Sequence, residues 1–219
     1  MPPRRSDGPV SPRPRRRYAP RMAPPERREQ VIDAALRVTV EQGYEGVSIE
    51  AIARSAGVTR PVIYDHFPNL GALLQTLIER EERIALQQLA RVIPGPEIGG
   101  SPDPVALLVS GVRRFLEAVA ARPSTWRIIL LPPDGTPAIV REHVETNRAR
   151  ILERLELLVR WTVGEDTATD ALDVELTARS IMALAEEAGR CVLTDPERFS
   201  PERYEAFVLS VMARLTGSR

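Results

Sequence analysis

Two helix starts stand eleven residues apart, at Ser48 and Thr59, with Gly57 between them. Few folds ask for that arrangement. Ser48 is a good N-cap, and Glu50 puts negative charge into the first turn, where the helix dipole favours it. Val47 before the cap and Ile52 four positions after it form a hydrophobic staple. Ile49, Ile52, Ala53 and Ala56 follow the i, i+3, i+4, i+7 rule, so one face is buried. Gly57 occupies the place of the left-handed residue that ends a helix. Thr59 caps the next helix, Pro61 lies in its first turn where the missing N–H costs nothing, and Val58 with Ile63 repeats the staple. Ala53 is small enough for the second helix to cross close above it. Residues 48–67 therefore read as a helix-turn-helix, whose second helix is free to enter a DNA major groove.

Gly43-Tyr44, Ser48, Ile52-Ala53, the run Ala56-Gly57-Val58-Thr59, Ile63-Tyr64, His66-Phe67 and Leu73-Leu74 stand in fixed register over about fifty residues. With these residues, positions 26–74 resemble the DNA-binding domain of the TetR family of bacterial one-component regulators. The resemblance implies contacts for individual side chains. Arg60 looks like the main base-edge reader, since a guanidinium suits guanine O6 and N7 in bidentate fashion. Thr59 and Tyr64 look like phosphate or base contacts, and Pro61 and Val62 face thymine methyl groups. His66 looks like a phosphate ligand; Ser48 and Arg54 reach phosphates from the preceding helix. Packing of Tyr64 and His66 on the fourth helix is the competing reading for those two. The chain departs from the family in carrying Leu70 where a lysine is usual, and in placing the acids Glu50 and Asp65 near the expected DNA surface.

Charge is distributed unevenly. The chain has 30 basic and 30 acidic residues, and every basic one is arginine. Residues 1–28 hold nine arginines against two acids, so the remaining chain is acidic by the same margin. A proline- and arginine-rich segment over 1–23 cannot bury enough apolar surface to fold alone and is expected to be a disordered basic arm. Two readings of it stand: an arm on DNA phosphates or the minor groove, or a solvated extension. It lacks the apolar stretch of a secretory signal, no apolar run is long enough to span a membrane, and a single cysteine, Cys191, fits a reducing cytoplasm. A buried, inert thiol is the favoured reading of Cys191 over a redox sensor.

The rest reads as helices. A first helix over 25–42 buries Val31, Ile32, Ala35, Leu36 and Val40. A fourth starts near Asn69 and runs to about 91, with Leu73, Leu74, Leu77, Ile78 and Ile84 inward and Glu79, Arg80, Glu81, Glu82 and Arg83 outward. Residues 93–104 hold four prolines and three glycines and form the expected domain boundary loop. Further helices are expected over about 104–121, from 124, over 137–162, over 169–194, and over 201–216 with Ser200 as N-cap. The class is all-α, about nine helices. A basic arm (1–23) precedes a helix-turn-helix domain (24–74), which a fourth helix joins to a larger ligand-binding and dimerisation domain (75–219).

Two surfaces follow in that larger domain. Ala178, Met182, Ala185, Gly189 and Val192 recur at helical spacing, and Tyr204, Val208, Val211 and Leu215 do so on the last helix; small residues permit close helix approach. The resemblance makes these a four-helix dimer interface, with an intrachain core as the other reading. It also implies an apolar pocket, for which the candidate polar anchors are Arg113, Trp126, His143, Asn147 and Glu186; Glu186 is alternatively paired with Arg190. Enzyme chemistry has little support: there are two histidines, no metal-ligand spacing, no P-loop and no nucleophile motif. The sequence therefore points to a cytoplasmic, homodimeric DNA-binding regulator, a repressor of a palindromic operator released by a small molecule, with no metal and no cofactor. The alternative is a helical small-molecule-binding or scaffolding dimer without sequence-specific DNA binding.

Overall fold

Helix ends in this chain are set by short polar caps and prolines, and the computed structural model follows them closely. It describes residues 23–92, 103–132, 135–163 and 172–215 of the 219-residue chain. The expected basic arm, apart from Ala23, and most of the expected boundary loop lie outside these. Among the described residues there are nine α-helices and no strands. They are α1 (Pro24–Gln42), α2 (Ile49–Ala56), α3 (Arg60–Tyr64), α4 (Leu70–Val92), α5 (Pro104–Ala121), α6 (Pro123–Leu130), α7 (Ala138–Val163), α8 (Val174–Thr194) and α9 (Pro201–Leu215).

Side-chain caps explain several starts. Asn69 Oδ1 accepts from Ala72 N at 2.8 Å ahead of α4, and Asp103 Oδ1 accepts from Val105 N at 2.9 Å ahead of α5. Asp173 Oδ1 accepts from Leu176 N, so α8 begins at Val174 and not at 169. Ser200 Oγ accepts from Arg203 N as expected. Thr59 differs: it holds the N-cap position of α3 in an extended conformation, yet its side chain makes no capping hydrogen bond.

The helices enclose two apolar cores. One joins Val31, Ile32, Ala35 and Val38 of α1 to Ile52, Ala53 and Ala56 of α2, with Ile63, Phe67, Leu73 and Leu77 closing it. The other joins Phe115, Leu116 and Val119 of α5 to Trp126, Leu130, Leu155, Val159, Met182 and Val192. Tyr44, Ile78, Ile128 and Val140 form a small apolar cluster that brings α4, α6 and α7 together beside the turn after α1. The fourth helix thus contributes to all three groups.

Two expectations about faces are corrected. Arg80 and Glu81 are not on the solvent side of α4. Glu81 is 1% exposed. Thr125 Oγ1 of α6 donates to its Oε2 at 2.5 Å, and Arg80 Nε and Nη2 reach its Oε1 at 2.8 and 2.7 Å. Arg80 Nη1 then spans to Glu29 Oε2 at 3.0 Å and Asp33 Oδ1 at 2.7 Å on α1. Position 81 lies four residues from both Leu77 and Ala85, on the buried face, so its spacing outweighs its charge. Burial opposes the Arg80 charge, but hydrogen bonds to Glu29 and Asp33 and the neighbouring Glu81 outweigh it and hold the guanidinium pKa above its ordinary value.

The second correction concerns α8. Ala178, Met182, Gly189 and Val192 are buried within their own chain, and half-buried Ala185 packs on the same core. A Cβ built on Gly189 would come within 2.6 Å of Leu130 Cδ1, so the small residue admits α6 and α5 of its own chain. On α9, Tyr204, Val208 and Val211 are half-buried, with Tyr204 packed on the larger core; the Leu215 side chain lies outside the description. The outward faces carry Leu176, Leu184, Phe207 and Leu209 instead.

Candidate nucleic-acid interface and internal cavity

The turn between α2 and α3 is held by backbone geometry. Gly57 has φ 65° and ψ 32°, the left-handed conformation that glycine adopts without steric cost. Its N–H donates to Arg54 O at 3.2 Å and Val58 N–H to Ala53 O at 3.0 Å, a Schellman closure. At the other end of α2, Ser48 Oγ accepts from Ala51 N at 3.1 Å. Helix α1 clamps the same piece: Gln30 Nε2 donates to Ala56 O at 2.8 Å and Arg37 Nη2 to Ser55 O at 3.1 Å. These two ties use carbonyls at the C-terminal end of α2, where helix groups have no internal partner.

With Ile63 and Phe67 buried, the opposite side of α3 is fixed outward. Thr59, Arg60, Pro61 and Tyr64 are exposed on it; Val62 and His66 are half-buried. The sequence candidates thus form one face, with Arg54 exposed on α2 and Ser48 half-buried. His66 tilts against Phe67 at 6.5 Å between centroids, and Arg28 of α1 stands 5.0 Å from the Phe67 ring, a contact the sequence reading missed. Arg60 Nη1 lies 2.9 Å from Glu50 Oε1, both side chains more than half exposed. The acid noted near this surface therefore holds the main candidate reader. Arg54 and Arg60 are matched in number by Glu50 and by Asp65 just past α3, so charge over residues 48–67 balances.

A cavity of about 380 Å³ lies within the larger core, walled by α4, α5, α6, α7 and α8. Most of its wall is aliphatic, with Phe115 and Trp126 set edge to face at 5.3 Å. Trp126 Nε1 donates to Gln88 Oε1 at 3.0 Å, so the indole is satisfied and presents carbon. Of the expected anchors, Trp126, Asn147 and Glu186 line this space, while Arg113 and His143 do not. Arg113 ties α5 to itself and to α9, donating to Glu117 Oε1 at 2.8 Å and Glu205 Oε2 at 2.6 Å. His143 sits in an open cleft between α4 and α7, with Nδ1 3.4 Å from Glu82 Oε2. Cleft and cavity share Glu82, Leu86 and Asn147 as walls.

The ion pairs here also differ from expectation. Glu186 pairs with Arg148, whose Nη2 donates to Oε2 at 3.0 Å, and Arg190 pairs with Glu187 at 2.9 Å. Arg148 Nε is 2.9 Å from Glu186 Oε1, but its N–H is not aimed at that oxygen and makes no hydrogen bond. Glu82 Oε1 is likewise buried without a hydrogen-bond partner among the described residues. Glu82 and Arg148 were missed as cavity residues. The signal for Glu82 was its place four residues from Ile78 and Leu86 on α4. Cys191 is half-buried, not buried, with Sγ 3.7 Å from Glu187 Oε1. Among the described residues no cluster of metal-ligating side chains occurs, and no helix is long and apolar enough to cross a membrane.

Residues 31–77 match the family model described as bacterial regulatory proteins, tetR family. The chain is 45% identical over 53 residues to the HTH-type transcriptional regulator SrpR of Pseudomonas putida, a match covering 24% of this chain and 25% of that protein. The likeness is confined to about a quarter of that relative's length. In fold, the chain is similar to a TetR-like transcriptional regulator from Rhodococcus sp. RHA1, with a TM-score of 0.70 at 22% identity, over 91% of this chain and 100% of the other. It is also similar to the transcriptional regulator FadR of Bacillus subtilis in complex with stearoyl-CoA, with a TM-score of 0.64 at 20% identity, over 84% and 96%. The N-terminal helix-turn-helix is thus of the TetR family, and the all-α fold of most of the chain is that of TetR-family regulators.

Proposed function

From a chain whose residues 31–77 form a TetR-family helix-turn-helix domain, we propose a DNA-binding repressor that grips a palindromic operator as a homodimer and is released by a small molecule in its internal cavity. The observation that carries this reading is the exposed face of Thr59, Arg60, Pro61 and Tyr64, braced from behind by buried Ile63 and Phe67. The pair between Arg60 and Glu50 is solvent-exposed and worth at most about 1 kcal/mol. A bidentate contact from Arg60 to guanine contributes about 1–3 kcal/mol of discrimination, so the exchange favours DNA at the right base. Ser48, Arg54 and His66 flank that face as phosphate contacts, and Val62 joins Pro61 against thymine methyl groups. The arm over 1–23 is proposed to add phosphate contacts that the charge-balanced helices lack.

Dimerisation through the outward faces of α8 and α9, around Leu184 and Phe207, puts two copies of α3 on successive major grooves, about 34–36 Å apart. In this reading residues 24–74 read DNA and 75–219 bind ligand and partner. Filling the cavity favours one setting of α4 over another, and the buried Glu81 network carries that preference to α1. Such a protein works in the cytoplasm.

A second reading, a ligand-binding helical dimer without sequence-specific DNA binding, is favoured by Leu70 in place of a lysine and by the acids Glu50 and Asp65. Fluorescence anisotropy with the region upstream of the protein's own coding sequence separates the two. Specific, saturable binding that Arg60→Ala weakens by about 1–3 kcal/mol is expected; equal competition by random DNA refutes the repressor reading.

A further inference from the structure

The internal cavity is apolar over most of its wall, so the few charges on it decide what it selects. Its guanidinium charges are already paired, although Arg148 Nε makes no hydrogen bond among the described residues. Arg148 has Glu186 at 2.9 and 3.0 Å, and Arg190 has Glu187 at 2.9 Å. Glu82 is in the opposite position. Its side chain is 11% exposed, and among the described residues its Oε1 has no hydrogen-bond partner and its Oε2 faces only the imidazole Nδ1 of His143, at the long distance of 3.4 Å. Glu145, on the same wall, is exposed to solvent and gains less from a partner. A buried polar oxygen without a partner carries an unmet desolvation cost, and a ligand that supplies the missing partner recovers it.

An anion entering this space meets Glu82 and must break the Arg148–Glu186 pair to find a counter-charge. A neutral apolar molecule leaves Glu82 as it is. A cation relieves it. Phe115 and Trp126 offer ring surface on the same cavity, a lining that accepts a cationic or aromatic body. Glu82 also borders the open cleft between α4 and α7, so a charged head reaches it from solvent while the apolar body lies inward. We propose that the cavity takes a lipophilic cation, an apolar body bearing one ammonium group, with its charge set against Glu82.

This rests on reading the cavity as the effector site, and the test keeps the two apart. Decylammonium, decanol and decanoate, which share one chain and differ in head charge, are titrated below micelle formation into the full chain without DNA. Trp126 fluorescence and calorimetry report binding. Decylammonium is expected to bind about 30-fold tighter than the other two, the low end of what a buried charge partner contributes. Glu82→Gln should reduce that preference to near unity with decanol still bound, and bound decanol certifies an intact cavity. If Glu82→Gln fails to bind decanol, Glu82→Asp in its place should keep the cation preference. Tightest binding of decanoate with Arg148 as anchor, a cation preference that survives Glu82→Gln, or no binding of any probe overturns the proposal. A cation that binds through Glu82 yet does not release DNA supports it and counts against the repressor reading alone.

Discussion

Thr125→Val tests whether the buried carboxylate of Glu81 joins the helix-turn-helix to the cavity wall. Thr125 is 3% exposed and donates to Glu81 Oε2 at 2.5 Å, while Arg80 occupies Oε1. Valine has the shape of threonine and no hydroxyl. The substitution leaves Oε2 buried and unpaired, and a hydrogen bond to a charged group contributes about 1.5–3 kcal/mol, so a loss of about 2 kcal/mol is expected. In a Glu81→Met background the same change removes a hydroxyl that already lacks its partner, and its cost falls to near zero. The double-mutant cycle should therefore give a coupling of about 2 kcal/mol, against the few tenths expected of independent sites. Arg80 keeps Glu29 and Asp33 in both backgrounds, which confines the cycle to the Glu81–Thr125 contact. Urea unfolding of the four proteins measures it. Equal cost of Thr125→Val in both backgrounds refutes the network. If the network transmits the ligand signal, Thr125→Val also shifts the ligand concentration for DNA release without changing ligand affinity in the absence of DNA.

Burial pushes the Tyr44 phenol up from 10.0 to about 12. The unfolded chain releases that proton first, so stability is full below pH 10 and falls as pH rises through about 12, by about 2–3 kcal/mol in total. Its hydroxyl has no hydrogen-bond partner among the described residues, so Tyr44→Phe should be close to neutral at pH 7 and should flatten this alkaline loss; denaturation at pH 8 and above gives the comparison. Gly57→Ala meets no atom within 4 Å, so its expected cost of about 1 kcal/mol is purely conformational; an unchanged unfolding midpoint would show that φ 65° is not required. Leu184→Glu on the outward face of α8, 73% exposed in the single chain, should convert a dimer to monomer in sedimentation without loss of helix content. A dimer that persists places the interface elsewhere.

Much of the fold was legible because its determinants are local. Ser48, Asn69, Asp173 and Ser200 accept from backbone N–H groups three positions on, and Gly57 needs only its own φ and ψ. Short-range geometry of this kind is written in residue spacing, and so is the outward face of α3, once Ile63 and Phe67 are assigned inward. Sequence by itself thus determined the helical class, the helix-turn-helix and the residues that it presents. Tertiary structure decided which neighbour each buried stripe meets. Spacing makes Ala178, Met182, Gly189 and Val192 one face but is silent on whether that face meets a second subunit or Leu130 and Phe115 of its own chain. Charge misled at Glu81 and Glu82 for the same reason: a carboxylate on an inward face is tolerable when a distant Thr125 and the adjacent Arg80 satisfy it, and Glu82 keeps one oxygen without a hydrogen-bond partner among the described residues. Pairing across tens of residues depends on how helices cross, and that is fixed by the packing of all of them together.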